Sequence, residues 1–442
     1  MYLNRMKIYL ESLGCAKNQV DSEMILGALR NEAEITINAS EADLIIVNTC
    51  AFIDAAKEEA INKILELSDY KKKGAKLVVC GCLAKRYKEQ LITLLPEVDR
   101  FISIDEYNSF GKIINSLVDG NYNIKDFSFL DRIVLTPPYM RYIRISDGCY
   151  NRCAFCAIPL IRGNLVSRKI EDIVEEVKLA IAEGVYEINL ISQDTTMYGK
   201  DLYKKLAIID LLEKLDNLKG NYKIRLLYLY PDILTDELIN FIKTSKHVMP
   251  YFDVPIQHSE NKVLKSMNRR GNKEFLIELF NKIKKEIPNA ILRTTFIVGF
   301  PGEDENDFNN LCDFISEIKF DRLGAFTYSP EEGTKGFNME GQIDPNIKQA
   351  RYEKLMAIQE KISYELNKIN LNKVFDDIFI IGYDEESFMY KARNYSYAPD
   401  EIDGVIYIAA KKEHKLGDIV MAKILDCDAY SLTGEEILNE EN

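Results

Sequence analysis

A chain of 442 residues exceeds what one hydrophobic core usually organises, so two or three domains are expected. Its 47% hydrophobic and 29% charged residues, with no long low-complexity tract, exclude a disordered chain and describe an ordinary globular one. The formal net charge of -13 argues against wrapping a large nucleic acid by electrostatics alone, while leaving room for local basic patches.

The opening MYLNRMKIYLESLG alternates polar and apolar residues. That fits neither a signal peptide nor a membrane span, so a cytoplasmic protein is expected. To about residue 130, apolar strands alternate with amphipathic helices. KIYLESLG is followed by a helical run near Asp21 to Asn31, DLIIVNTC by one from Asp54 to Leu67, and KLVVCGC by one from Lys85 to Leu95. This alternation predicts an α/β domain over residues 1–130 with a doubly wound parallel sheet. Cys15, Cys50 and Cys82 each fall just after one of these strands. Loops at the carboxyl ends of parallel strands share one sheet edge, so the three thiols converge, and convergence points to a metal cluster.

The joint LDRIVLTPPYM, with Pro137 and Pro138, marks a boundary. Beyond it RYIRIS, EINLIS, KIRLLYLY, YFDVPIQ, ILRTTFIVGF and RLGAFTYS alternate with helices. They predict a partial (βα)6 barrel over residues 138–370, with its chemistry at the carboxyl ends of the strands and a helix from Pro345 to Asn370 closing it. DDIFIIGY, FMYKARN, IDGVIYIA and DIVMAKILDC then predict a small antiparallel β-barrel over residues 371–442.

In reducing cytosol, nine cysteines favour metal ligation or catalysis over disulfides. Six sit beside glycine or in one tight triplet. Cys80, Cys312 and Cys427 lie among apolar or helical neighbours and read as core filler. The triplet is ISDGCYNRCAFCAIPLIRG, a C-x3-C-x2-C run of Cys149, Cys153 and Cys156 directly after a strand. Soft thiolates favour iron-sulfur clusters and zinc, and a closed zinc site needs a fourth cysteine or histidine that does not follow here. Three ligands on a four-iron cluster leave one iron open to a small chelating substrate. A three-ligand catalytic zinc is the rival reading.

C-x3-C-x2-C with an aromatic, here Phe155, before the last cysteine resembles the signature of the radical S-adenosylmethionine superfamily. The resemblance implies that the open iron chelates the amino and carboxylate groups of the methionine moiety, with Phe155 against adenine. TFIVGFPGED looks like the superfamily's nucleoside-contacting segment, which implies Ile297 and Gly299 near the adenine. SLGCAKNQVDSE, VNTCAFI and CGCLAKRY match the amino-terminal domain of methylthiotransferases, implying that Cys15, Cys50 and Cys82 hold a second four-iron four-sulfur cluster. LTPPYMRYIRISDGCYNRCAFCAIPLIRGNLVSR, DVPIQHSENKVLKSMNRRG, FTYSPEEGTKGF and YSYAPDEIDGVIYI resemble the RimO branch of that family, the last being similar to its TRAM domain. That branch modifies an aspartate of small-subunit ribosomal protein twelve. By implication, one S-adenosylmethionine donates a methyl group to sulfur at the auxiliary cluster. A second yields the 5'-deoxyadenosyl radical that takes hydrogen from the substrate β-carbon, with electrons from a donor protein. An unactivated C–H bond has no useful acidity, so a general base cannot replace the radical.

The alternative is a sister enzyme that methylthiolates an adenosine of transfer RNA. From Leu371 to the end, 7 Lys plus Arg stand against 16 Asp plus Glu, a poor clamp for RNA and a suitable surface for a basic ribosomal protein. Nucleic acid is therefore not the expected primary partner, although an acidic surface also serves plain solubility. A non-enzymatic iron-sulfur scaffold is a third reading, opposed by the complete cysteine triads. Several residues carry weaker expectations. Lys71 to Lys73 suit a helix end facing water or an RNA contact. Arg162, Arg269 and Arg270 suit the carboxylates of S-adenosylmethionine or of a substrate aspartate, or surface ion pairs. Gln193 and Asp194 follow a strand at the barrel mouth, as ligand contacts or, for Asp194, as a helix N-cap. His258 suits catalysis or a buried hydrogen bond.

Overall fold

The computed structural model describes residues 5–118 and 120–438; the first four residues of the opening segment and the last four of the expected carboxyl-terminal barrel lie outside them. The amino-terminal sheet has the order β2-β1-β3-β4-β5, built from β1 (Met6–Ser12), β2 (Ala33–Ile35), β3 (Leu44–Thr49), β4 (Lys76–Gly81) and β5 (Arg100–Ser103). Every pairing is parallel. The continuous apolar run Leu44–Val47 is wholly buried, as a central strand covered on both faces requires. One face packs Ala60, Ile64 and Leu67 of α2 (Asp54–Asp69) with Leu83 and Leu91 of α3 (Cys82–Leu94). The other packs Ile25 and Leu29 of α1 (Ala16–Leu29) with Phe110 and Ile114 of α4 (Phe110–Leu117).

Two of these helices begin earlier than apolar periodicity predicts. α1 starts at Ala16 rather than near Asp21, and α3 at Cys82 rather than Lys85. For α1 the reason is burial on every side: its buried residues include Lys17, Asn18, Asp21, Ser22 and Glu23. It is wedged between domains, so Asp21 and Glu23 are buried in ion pairs and the other polar residues are covered beside them, leaving no amphipathic stripe to read.

The six strands expected of the central domain all form: β6 (Met140–Arg144), β9 (Glu187–Ile191), β10 (Lys223–Leu226), β11 (Tyr251–Asp253), β12 (Ile291–Val298) and β13 (Arg322–Thr327). They make two parallel three-stranded sheets, β6-β9-β10 and β11-β12-β13. Ile224 joins them, taking a hydrogen bond from Met249 N and donating one to His247 O. The helix Pro345–Lys368 lies along β13, where Gln359 donates to Phe320 O at 2.9 Å. A two-stranded ribbon, β7 (Ser146–Asp147) with β8 (Val166–Ser167), frames the loop that carries the cysteine triplet.

The carboxyl-terminal strands β14 (Val374–Asp384), β15 (Met389–Arg393), β16 (Ile406–Ala409), β17 (Ile419–Cys427) and β18 (Leu432–Glu436) close in the order β14-β15-β16-β18-β17. The expectation of an antiparallel barrel needs one correction, because β16 and β18 run parallel. Strand directions cannot alternate around a ring of five, so closure forces at least one parallel pair. This barrel docks on the amino-terminal side of the central strands. Glu187, the first residue of β9, sits between Arg225 at 2.9 Å and Arg393 of β15 at 2.5 Å, all three buried. Arg293 bridges Asp253 and Asp403, each at 3.0 Å. The carboxyl ends of the strands are thereby left to the amino-terminal domain.

Burial opposes ionisation of Glu187, yet Arg393 and Arg225 hold its carboxyl below the usual range. A depressed folded-state pKa contributes stability above the ordinary glutamate range, lost as pH falls through the folded value. Glu187→Gln should therefore lower stability at neutral pH by about 3–5 kcal/mol by leaving two buried guanidinium groups unpaired. It should also remove the corresponding acid-limb dependence. Urea unfolding of both proteins between about pH 7 and about pH 3 checks this, and equal stability at neutral pH would contradict it.

Candidate active site

Cys15 caps the amino end of α1 just past β1, Cys50 follows β3, and Cys82 opens α3 directly after β4. Three parallel strands thus deliver three thiols to one edge, as their spacing predicts. The close approach depends on backbone: Gly14 has φ +91°, and a Cβ there would lie 2.6 Å from Cys50 Cβ. Gly81 also has φ +91°, and a Cβ would meet Asn48 Oδ1 at 2.3 Å. Asn18 ties the three loops together. Its Nδ2 donates to Leu13 O at 3.1 Å and Thr49 O at 2.9 Å, and its Oδ1 accepts from Cys82 Sγ at 3.4 Å.

Cys149, Cys153 and Cys156 lie on the loop between β7 and β8. Both triads line one cavity of about 350 Å³ at the carboxyl ends of the central strands. Phe52, Ile158, Ile161 and Phe326 give it apolar walls, while Lys17, Arg162 and Arg269 bring positive charge. No carboxylate or histidine lines it among the described residues. Burial pushes the Cys149 thiol up to about 11 and those of Cys82 and Cys156 up to about 12, so ionising them needs positive charge supplied from within the cavity.

This donor set suits iron-sulfur clusters. A cluster spreads its thiolate ligands over several iron atoms, and three thiols per triad leave one iron of each cluster open. Gln193 adds an amide whose Nε2 donates to Asp147 Oδ1 at 2.9 Å. Its buried Oε1 has no partner among the described residues and belongs to the cavity wall.

The remaining candidates separate cleanly. Arg162 is not a surface residue: its Nη2 donates to Asp21 Oδ2 at 2.7 Å and Asn18 Oδ1 at 2.8 Å, and its Nη1 to Asp147 Oδ2 at 2.9 Å. Arg144 reaches Asp21 at 2.5 Å from the other side. Arg269 stacks on Tyr230 at 4.0 Å and approaches Cys153 Sγ at 3.8 Å, whereas Arg270 makes an exposed ion pair with Asp232 at 2.7 Å. Asp194 is an N-cap, accepting from Met197 N at 3.1 Å. His258 is buried away from the cavity, its Nδ1 accepting from Glu260 N at 3.0 Å. Lys71 and Lys72 pair with Asp99 and Asp43 at the surface.

Phe155 lies on the cavity wall. Ile297 packs beside it in an apolar cluster with Met267, Phe300 and Tyr328. Gly299 abuts the Lys348 side chain, and its N–H donates to Glu303 Oε2 at 2.8 Å; from these strands it is Thr295 and Phe326 that reach the wall. Of the presumed core cysteines, Cys80 and Cys312 are buried and Cys427 is half-buried.

Sequence reasoning did not single out Lys17, Asn18, Tyr228 or Gln257. The first two stand within three residues of Cys15, which is the only available signal. Tyr228 and Gln257 carry positive φ, 62° and 72°, at strand ends on the cavity wall, and nothing in their residue type announces it.

Three family models match the chain: Uncharacterized protein family UPF0004 over residues 7–103, the Radical SAM superfamily over 143–315 and the TRAM domain over 377–437. The chain is 47% identical to ribosomal protein uS12 methylthiotransferase RimO of Carboxydothermus hydrogenoformans, over 98% of this chain and all of that one. It is 46% identical to RimO of Aquifex aeolicus, over 98% and 97% of the two chains. It is 45% identical to RimO of Clostridium botulinum (strain Eklund 17B), over 98% of each. Among solved structures, the radical S-adenosylmethionine methyltransferase TsrM from Kitasatospora setae matches with a TM-score of 0.54 and 13% identity, over 76% of this chain and 77% of that one, a likeness of fold alone. Full-length identity at this level, joined to a radical S-adenosylmethionine domain and a closed TRAM barrel, places the chain in the RimO family of ribosomal protein uS12 methylthiotransferases.

Proposed function

We propose that this chain inserts a methylthio group at the β-carbon of an aspartate in ribosomal protein uS12, using two four-iron four-sulfur clusters. Cys149, Cys153 and Cys156 hold one, and Cys15, Cys50 and Cys82 the other. The observation that carries this reading is that both triads line one cavity. When bound, the clusters and S-adenosylmethionine supply the hydrogen-abstracting radical and the methylated sulfur. The chain's own residues do the rest. Phe155 offers a ring face to adenine, Arg269 a cation beside Cys153, and Gln193 Oε1 an unpaired acceptor. Phe52, Ile158, Ile161 and Phe326 exclude water from a reactive intermediate. The absence of a carboxylate or histidine on the described wall agrees with chemistry that uses no general base there.

The functional units of this reading are residues 1–130 with the auxiliary cluster, 138–370 with the radical-generating cluster, and 371–442 as the TRAM-like barrel. The substrate is ribosomal protein, free or in an assembling particle, and an electron donor protein reduces the radical-generating cluster. Among the described residues no helix is long and apolar enough to cross a membrane, in keeping with action in the cytoplasm on a ribosomal component. No observation favours the transfer RNA alternative.

An anaerobic assay with reconstituted enzyme, S-adenosylmethionine, sulfide and reductant tests the reading against a peptide of the ribosomal-protein loop and against unmodified transfer RNA. Mass spectrometry should find methylthiolated peptide and unchanged RNA; the reverse would overturn the substrate. Cys15→Ala should abolish methylthiolated product, and persistence of product would remove the auxiliary triad from the mechanism. Arg162→Met leaves Asp21 and Asp147 short of a buried guanidinium. It should lower stability by about 3–5 kcal/mol in urea unfolding, whereas a change below about 1 kcal/mol would deny the network its structural role.

A further inference from the structure

Among the described residues three basic side chains line the cavity, and two already have acceptors. Arg162 is committed to Asp21, Asn18 and Asp147. Arg269 donates to Pro255 O at 2.5 Å and faces Cys153 Sγ. Lys17 differs. Only 7% exposed, it lies on the cavity wall beside Cys15, its Nζ 3.5 Å from the centroid of the Tyr228 ring. It makes no ion pair or side-chain hydrogen bond among the described residues. Nearby carboxylates are engaged elsewhere: Asp147 with Arg162 and Gln193, Asp253 with Arg293 and Tyr228 N. Tyr228 itself is held at φ 62°, a conformation a tyrosine adopts only when the surrounding fold imposes it. A lysine nine-tenths buried with only a ring face for company is a poor device for stability and a suitable one for an anion arriving from outside.

We propose that Lys17 binds the side-chain carboxylate of the substrate aspartate, and so selects aspartate and aims its β-carbon between the two cysteine triads. This rests on the reading of the function given above. A carboxylate entering a largely apolar cavity must find a cation, and the carbon to be modified is bonded directly to that carboxylate. Lys17 stands on the auxiliary side and Arg269 on the Cys153 side, so the lysine is placed for the substrate and the arginine for the cofactor. An asparagine side chain, or an adenosine, carries no charge for Lys17 to hold.

The test is a binding cycle with full-length, anaerobically reconstituted enzyme and two loop peptides, one with the target aspartate and one with asparagine in its place. Fluorescence anisotropy reads each Kd for wild type, Lys17→Met and Lys17→Arg. Wild type should prefer the aspartate peptide by roughly 10- to 100-fold, the range of a charge-assisted hydrogen bond. Lys17→Met should bind both peptides within about twofold of each other, and Lys17→Arg should retain most of the preference. Lys17→Met should also keep its iron and melt at a higher temperature than wild type, because a buried polar group without an acceptor has been removed. A preference retained in Lys17→Met overturns the proposal. So does a Lys17→Met protein that loses iron or melts lower, which makes the lysine structural. A weaker Kd for S-adenosylmethionine with the peptide preference intact assigns Lys17 to the methionyl carboxylate and also overturns it. Wild type that neither binds nor modifies either peptide would remove the parent reading with it. Wild type that modifies the aspartate peptide, beside a Lys17→Met that still discriminates, would remove this proposal alone.

Discussion

The buried contact between Arg162 and Asp21 is the constraint on which the active site depends. Asp21 lies in α1, behind Cys15, and Arg162 lies in the loop that follows the cysteine triplet. Their ion pair, extended through Asp147, Arg144 and Asn18, fixes the carrier of one triad to the carrier of the other. A second buried set beside it joins Arg132 to Glu23 of α1 and to Glu176 of the central domain, at 2.6 and 2.7 Å. Buried ion pairs seldom add net stability over apolar packing, but breaking one is costly, which makes them good at holding a single arrangement. The proposed reaction, with two metal centres aimed at one carbon, would call for such rigidity.

The same logic explains the division of the strand ends. The carboxyl-terminal barrel is locked to the amino-terminal side of the central strands by Arg393, Glu187 and Arg225, and by Arg293 with Asp403. The carboxyl ends then face the amino-terminal domain, whose own strand ends supply the other three thiols. Each parallel sheet contributes the edge at which parallel sheets generally bind ligands. The cavity is the meeting of two such edges.

Much of this was legible in the sequence because the relevant signals are local. Strand-helix alternation gave the doubly wound sheet and the six central strands, and cysteines just after strands gave the two triads. What escaped notice was buried and polar. α1 carries Lys17, Asn18, Asp21 and Glu23 inward, so its first turn lacks the apolar stripe by which helices are recognised. From sequence Arg162 reads as a binder of a ligand carboxylate or a surface ion pair, because its acceptor Asp21 is 141 positions distant. Gly299 matched a motif, yet it packs on Lys348 and the wall takes Thr295 instead. The left-handed backbone of Tyr228 and Gln257 is imposed by tertiary contacts and leaves no trace in residue type. The parallel pair in the small barrel follows from closing an odd number of strands, a global property that no single segment records.

The proposed reaction requires two clusters served by two triads. Iron and sulfide analysis of anaerobically reconstituted protein, with Mössbauer spectra, measures this most directly. Wild type should carry about two four-iron clusters per chain, and replacing either all of Cys15, Cys50 and Cys82 or all of Cys149, Cys153 and Cys156 by alanine should leave about one. Iron for a single cluster in wild type, or a full complement after either triple replacement, would contradict it.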